Sequence, residues 1–384
     1  MTHIPHTTES VMNLMTSLVA IPSVFPNEEN VTSFIELYLQ KLGFQVTRIS
    51  SESNRDNLVA EFGKAKKHVC FYGHMDTVPP DPEWQQDPYT VSTQDDIARG
   101  LGVTDMKGGI AAILVLAEYA VKHNLPVKLA FGVDEENISL GSYHLTQTSF
   151  FDSVEFLISA ESGQVFNENQ DFAVNYGRKG RFALEVNIQG KNAHAARSDL
   201  ATNAILEASR FFDLLKTMNL PIHEKLGHAQ VIPYSVQSET DSFSIPSHAT
   251  IKLNVLSVPG ITSDTFIHQL ETLCLDNNLQ AQIQLVPRET PYMESYEVDT
   301  NSDIIRTLET RILSNWNVQP GYSISVADEN RFAYALGIPV ISLGPIGGDD
   351  HTAQEWVSIS SLRKVVEVYC DILEHISFVP TKKK

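Results

Sequence analysis

The sequence predicts an α/β protein, in which a doubly wound, mostly parallel sheet is interrupted by a smaller α+β insert. Three observations carry this. Short apolar runs alternate with helical patterns in the first part of the chain and again in the last, as in a mostly parallel sheet covered on both faces. Between residues 178 and 297 the strands instead alternate apolar and polar residues, which suits a sheet with one covered and one exposed face. The length of 384 residues is also too great for one comfortable core. The expected division is 1–177 and 298–384 for the main domain, with 178–297 as the insert.

Each element follows from its pattern. "ESVMNLMTSLVAI" and "NVTSFIELYLQKLG" have helical spacing, and the second closes on Gly43. "HVCFYGH" is a short apolar run between turn signals and reads as a buried strand. "MKGGIAAILVLAEYAVKH" is a long helix, and "VKLAFGVDEE" and "FLISAES" are two further buried strands. In the insert, "RFALEVNIQG" and "ATIKLNVLSV" alternate, and the first of them is expected at a sheet edge. The helices "NAILEASRFFDLLKTM" and "TSDTFIHQLETLCLDN" and the strand "QIQLVP" complete a β-α-β-β-α-β order. The first style then returns with "SDIIRTLETRIL" as helix, "PVISLGP" as strand and "SISSLRKVVEVYCDILEHI" as closing helix.

Composition narrows the function. Hydrophobic residues make up 42% and charged residues 20%, an ordinary globular mix. The formal net charge of −19 argues against nucleic acid or anionic membrane as a partner. Cys70, Cys274 and Cys370 are far apart in apolar sequence. They read as buried thiols of a reducing compartment, so a cytoplasmic location is expected. The N-terminal segment lacks a basic start and a long apolar core, so neither a signal peptide nor a membrane span is expected. The terminal "TKKK" reads as a solvated tail.

The polar residues that matter follow the apolar runs. His74 and Asp76 follow "VCFYG"; Asp134, Glu135 and Glu136 follow "LAFGV"; Glu161 follows "LISA". Asp105 sits in the Gly-rich turn "GLGVTDMKGG", and His351 lies in "GPIGGDDHTAQEW". Alone, each has a plain structural use. Asp105 could cap a helix, and "DEE" could be a solvated turn. Together, five loops bring imidazoles and carboxylates to the carboxyl edge of a parallel sheet, where ligands gather. Collecting so many carboxylates there is costly unless cations neutralise them. Imidazole plus carboxylate, with no cysteine nearby, suits Zn²⁺ or a similar divalent ion, and there are groups enough for two ions about 3.5–4 Å apart. Of the adjacent Glu135 and Glu136, one can ligate while the other takes a proton from the attacking water. Asp76, two residues from His74, can accept the other ring N–H of that histidine.

The motifs "GHMDTVPP", "W..DPY", "GLGVTDMKGGIAA", "DEE", "AES", "GKNAHAA" and "GPIGGDDHTAQEW" run in order along essentially the whole chain. They resemble the co-catalytic zinc family of acetylornithine deacetylase, succinyl-diaminopimelate desuccinylase, aminoacylase and glutamate carboxypeptidases. The resemblance implies two divalent ions, Zn²⁺ with Co²⁺ or Mn²⁺ as substitutes. It implies His74 and Glu161 on the first ion, Glu136 and His351 on the second, and Asp105 bridging them, followed by a cis peptide bond. Glu135 matches the general base, with Asp76 behind His74. His194, in "NAHAA", matches a histidine offered to the tetrahedral intermediate, often across a dimer interface. The insert would then be a lid and dimerisation domain.

The implied reaction is hydrolysis of the amide bond of an N-acyl amino acid, with carboxypeptidase or dipeptidase action as the alternative. The partners expected are a small acyl amino acid or short peptide and a second copy of the chain. Arg178, in "YGRKG", resembles a substrate-carboxylate contact of the desuccinylase branch. Asn254 stands on "IKLNVLSVPG", where many relatives carry an arginine, and Arg331 lies in "ADENRFA". These two are further candidate substrate contacts. "AESG" for the usual "EPS/T", the missing lid arginine, and "SISVADEN" without a Gly-Gly-Thr run are departures that bear on substrate identity.

Overall fold

The computed structural model describes residues 7–163, 169–240 and 243–376, so residues 1–6 and the TKKK tail lie outside it. The chain falls into two compact units. One comprises Met1–Gly177, Glu297–Ser323 and Ala327–Lys384, the other Arg178–Tyr296 and Ile324–Val326. No helix among the described residues is long and apolar enough to cross a membrane.

In the first unit the apolar run His68–His74 is buried at every position. It lies at the centre of a nine-stranded sheet, parallel to Val127–Gly132 on one side and Val154–Ser159 on the other. Val340–Gly344 continues the parallel set beyond Val154–Ser159. Such strands are shielded on both faces, which is why they read as unbroken apolar runs. The sheet becomes antiparallel at its flanks. Gln45–Glu52 and Arg55–Phe62 form a hairpin beside Val127–Gly132, and Ala173–Arg178 pairs with Val340–Gly344.

Helix Gly108–His123 is buried along most of its length and packs against the helices Thr7–Val19 and Ile359–Ile376. A helix apolar on all sides has to be interior. The rings of Phe71 and Tyr369 meet at 4.8 Å between sheet and closing helix, and each buried side chain of this size contributes about 1.5–3 kcal/mol. Helix Glu29–Leu42 ends on Gly43 at φ 91°, whose N–H returns to the carbonyls of Leu39 and Gln40.

The second unit holds a four-stranded antiparallel sheet in the order Gln230–Gln237, His248–Ser257, Gly180–Gln189, Ala281–Leu285. Burial alternates along Gly180–Gln189 and His248–Ser257. Their apolar face receives the helices Ala204–Leu215 and Ser263–Asp276, with Phe182 and Phe266 edge to face at 5.9 Å. Asn203 caps the first helix and Thr262 the second. One expectation is corrected here. Gly180–Gln189 is an interior strand, and the edges are Ala281–Leu285 and Gln230–Gln237. Gln230–Gln237 has mostly exposed positions and carries Pro233, so it lacks the one-sided apolar pattern that marks a strand.

Candidate metal centre

The parallel strands end together, with His74 in register with Gly132, so the loops that follow them converge. The His74 side chain is fully enclosed. Its Nε2 lies 2.9 Å from Asp105 Oδ1 and 3.4 Å from Glu161 Oε1. His351 Nε2 lies 3.2 Å from both Asp105 Oδ2 and Glu136 Oε1. Two groups result, His74–Asp105–Glu161 and Asp105–Glu136–His351. In each, the potential ligand atoms all lie within 4.8 Å of one another. Asp105 belongs to both and offers one oxygen to each.

The backbone explains how these side chains are aimed. Asp105 sits in the distorted turn Val103–Lys107, entered through Gly102 at φ 78°, and the Asp105–Met106 peptide bond is cis. Asp76 differs from the expectation. The ring Nδ1 of His74 is 3.1 Å from the main-chain oxygen of Asp76 and 3.6 Å from its carboxylate. That carboxylate is turned to the next loop, where it accepts the main-chain N–H of Glu135 at 3.2 Å and of Glu136 at 3.0 Å. Asp76 thus orients the imidazole through its carbonyl and the glutamate pair through its side chain.

The first acid of "DEE" has a separate task. Asp134, at φ 70°, accepts the main-chain N–H groups of Ile138 and Leu140 and an Arg55 Nη2–H at 2.7 Å. Arg55 also holds the buried Glu28 with two bonds. A buried ion-pair cluster of this kind is maintained because removing one partner strands a charge.

The charges are unbalanced. Burial alone would lower the pKa of His74, but Asp105, Asp76 and Glu161 raise it well above its usual value. Asp105 and Glu136 push His351 up to about 10. Burial, and then the charge of Asp105, push Glu161 up to about 7. Burial also raises Glu136. It raises Glu135 strongly, with Asp328, Glu161 and Glu136 adding to the effect. Burial opposes ionisation of Asp105, yet His351 and His74 hold its pKa low. Two imidazoles are too few to neutralise these carboxylates. Divalent cations in the two groups would do so, taking the place of the imidazole protons, since a ligating histidine must be neutral. The donors are nitrogen and oxygen only, and the three cysteines are buried elsewhere. The residues present therefore fit divalent metal ions.

The structure brings together His74, Asp76, Asp105, Glu135, Glu136, Glu161 and His351. Arg331, also in the first unit, is buried and stands over the Tyr143 ring at 5.9 Å. The other candidates belong to the second unit. His194 is exposed, and its Nδ1 accepts the Ala196 N–H at 3.1 Å. Asn254 accepts a bond from Arg181 at 3.0 Å, and the buried Arg178 donates to Ser325 at 3.0 Å.

Sequence reasoning missed several polar groups. Asp328 is buried, its pKa pushed up to about 6 mainly by that burial, and it accepts bonds from the Tyr72 hydroxyl and from Ser142 at 2.6 Å. Tyr72 lies two residues before His74 on the same strand, a spacing that could have drawn attention to it. Glu355 accepts three main-chain N–H groups around Asp105. Its signal was its place four residues after His351.

A parallel-sheet edge carrying two histidine–carboxylate groups joined by one aspartate defines a metal-dependent hydrolase acting on amide bonds. Residues 70–375 match peptidase family M20/M25/M40, and the chain belongs to that family. It is 27% identical over 378 residues to succinyl-diaminopimelate desuccinylase from Coxiella burnetii (strain Dugway 5J108-111), covering 94% of this chain and 98% of the relative. Among solved structures it is similar to aminopeptidase PepT from Bacillus cereus ATCC 10987. There the TM-score is 0.78 and the identity 17%, over 96% of this chain and 98% of that one. It is also similar to the Bacillus subtilis YXEP protein, a dinuclear metal-binding peptidase. That match has a TM-score of 0.73 and 16% identity, over 97% of this chain and all of the other.

Proposed function

We propose that this chain hydrolyses the amide bond of an N-acyl amino acid with the help of two divalent cations, Zn²⁺ by preference and Co²⁺ or Mn²⁺ as substitutes. The observation that carries this reading is the sharing of Asp105 between two histidine–carboxylate groups. The acyl amino acid class is supported by the desuccinylase relative, which aligns over nearly the whole chain.

His74 and Glu161 would hold one cation, Glu136 and His351 the other, and Asp105, which belongs to both groups, would contribute to each. Two divalent ions there would polarise the amide carbonyl and acidify the attacking water. Glu135 takes the proton from that water and returns it to the leaving amine. It stands outside both ligand groups, so its carboxylate is left for proton transfer. Asp76 fixes the main chain of Glu135 and so the aim of the base. His194 accepts a bond at Nδ1, which leaves its proton on Nε2, and that exposed N–H is a donor for the oxyanion. Arg178, Asn254 and Arg331 are the polar groups for the substrate's carboxylates. Residues 178–297 act as a lid that closes on substrate and pairs with a second copy, the domain 1–177 and 298–384 holding the metals. The partner in this reading is a small acyl amino acid or short peptide met in the cytoplasm, and the net charge of −19 disfavours nucleic acid and anionic membrane as partners.

The test is turnover of N-succinyl-diaminopimelate, N-acetylornithine and short peptides by metal-stripped and reloaded protein. Hydrolysis of an acyl amino acid should vanish on stripping and return with Zn²⁺, Co²⁺ or Mn²⁺. Full activity without metal would overturn the reading, and turnover of peptides alone would make the chain an exopeptidase.

A further inference from the structure

Glu355 is a buried carboxylate, 1% exposed, outside both histidine–carboxylate groups. Its Oε2 accepts the N–H of Gly102 at 2.8 Å. Its Oε1 accepts those of Thr104 at 2.9 Å and Asp105 at 3.2 Å. These three donors line one side of the turn that carries Asp105. A carboxylate that accepts several main-chain N–H groups is held by charge-assisted bonds, about twice as strong as neutral ones.

Glu355 is itself fixed. Its N–H returns to the Thr352 carbonyl at 3.3 Å, in the loop that carries His351. The next residue opens the strand Trp356–Ser358, which pairs with Ile97–Arg99, and Thr104 Oγ1 donates to the Trp356 carbonyl. One side chain therefore ties the loop of Asp105 to the loop of His351, the two residues whose spacing sets the second group.

We propose that Glu355 is a positioning residue for the metal centre. It holds the Asp105 main chain so that the two carboxylate oxygens of Asp105 face the two groups at once. The proposal rests on the two-cation reading above, and the experiment separates the two. Zn²⁺ is titrated calorimetrically into metal-stripped wild type, Glu355→Gln, Asp105→Asn and the double variant. Gln keeps the shape but turns an N–H₂ donor toward main-chain donors. Wild type should take up two ions. Glu355→Gln should fold and bind them about 10–100-fold more weakly, the usual effect of losing such a supporting group. On the Asp105→Asn background it should cost nothing further, because its effect passes through Asp105. A merely structural role would instead lower affinity on both backgrounds.

Wild type that takes up no ion overturns the two-cation reading and this proposal with it. Wild type with two ions and a Glu355→Gln isotherm like its own overturns the proposal alone. If Glu355→Gln does not fold, Glu355→Asp, which keeps both oxygens on a shorter stem, is measured in its place. Wild-type affinity in that variant, or its failure to fold, overturns the proposal.

Discussion

Glu135 and Glu136 are neighbours in sequence with different surroundings. Glu136 Oε1 is 3.2 Å from His351 Nε2 and belongs to a metal group, whereas Glu135 belongs to neither group. Glu135→Gln preserves the side-chain volume and removes the proton acceptor. It should retain two ions while turnover falls about 10²–10⁴-fold. Glu136→Gln should instead lose metal at the His351 group. Metal analysis beside kinetics checks this, and the reverse pattern would mean that the roles are exchanged. The residues of these groups were legible because each stands just beyond a strand or in a short Gly-rich turn, where spacing alone points to one sheet edge. Glu355 and Arg55 were not. Their buried partners are main-chain N–H groups some 250 residues away for Glu355 and two buried carboxylates 27 and 79 residues away for Arg55, beside the more exposed Glu52 three residues away. No local pattern records bonds of that span.

At the scale of elements, helix Gly108–His123 starts on two glycines because another part of the chain comes very close. A Cβ on Gly109 would lie 2.3 Å from the carbonyl oxygen of Ala160, which precedes Glu161. That contact is with backbone and cannot yield by rotating a side chain. Gly109→Ala should push the Ala160–Glu161 segment outward, with about 1–3 kcal/mol lost to overpacking and weaker binding at the His74 group. Thermal unfolding with and without Zn²⁺ reads both effects. An unchanged melting temperature would show that the approach is looser than the geometry says. The buried parallel strands and the long helices could be read from the sequence because their apolar runs have only one way to be covered. The hairpin Gln45–Glu52/Arg55–Phe62 and the edge strand Gln230–Gln237 could not. The first strand of the hairpin and the edge strand are largely solvent-facing, and without a covered face neither has an apolar period to show.

For the whole molecule the open question is how many copies act together. The edge strand Gln230–Gln237 exposes Ile232 at 44%, Tyr234 at 54% and Val236 at 57%, and helix Ala204–Leu215 exposes Ile205 at 51% and Leu206 at 67%. An edge strand with exposed apolar side chains is normally covered. Antiparallel pairing of two such edges about a two-fold axis would cover both with one self-complementary surface. The argument for a dimer therefore rests on this strand and not on Gly180–Gln189, which is interior. If the second units pair, His194 of one chain can serve the metals of the other. Inactive His194→Ala mixed with inactive Glu135→Gln tests this. In a trans arrangement each mixed dimer has one site with both defects and one with neither, so activity should return on mixing and grow with the fraction of mixed dimers measured by native mass spectrometry. Mixed dimers with background activity would place His194 in its own chain's reaction, and a monomer by sedimentation would remove the exchange altogether.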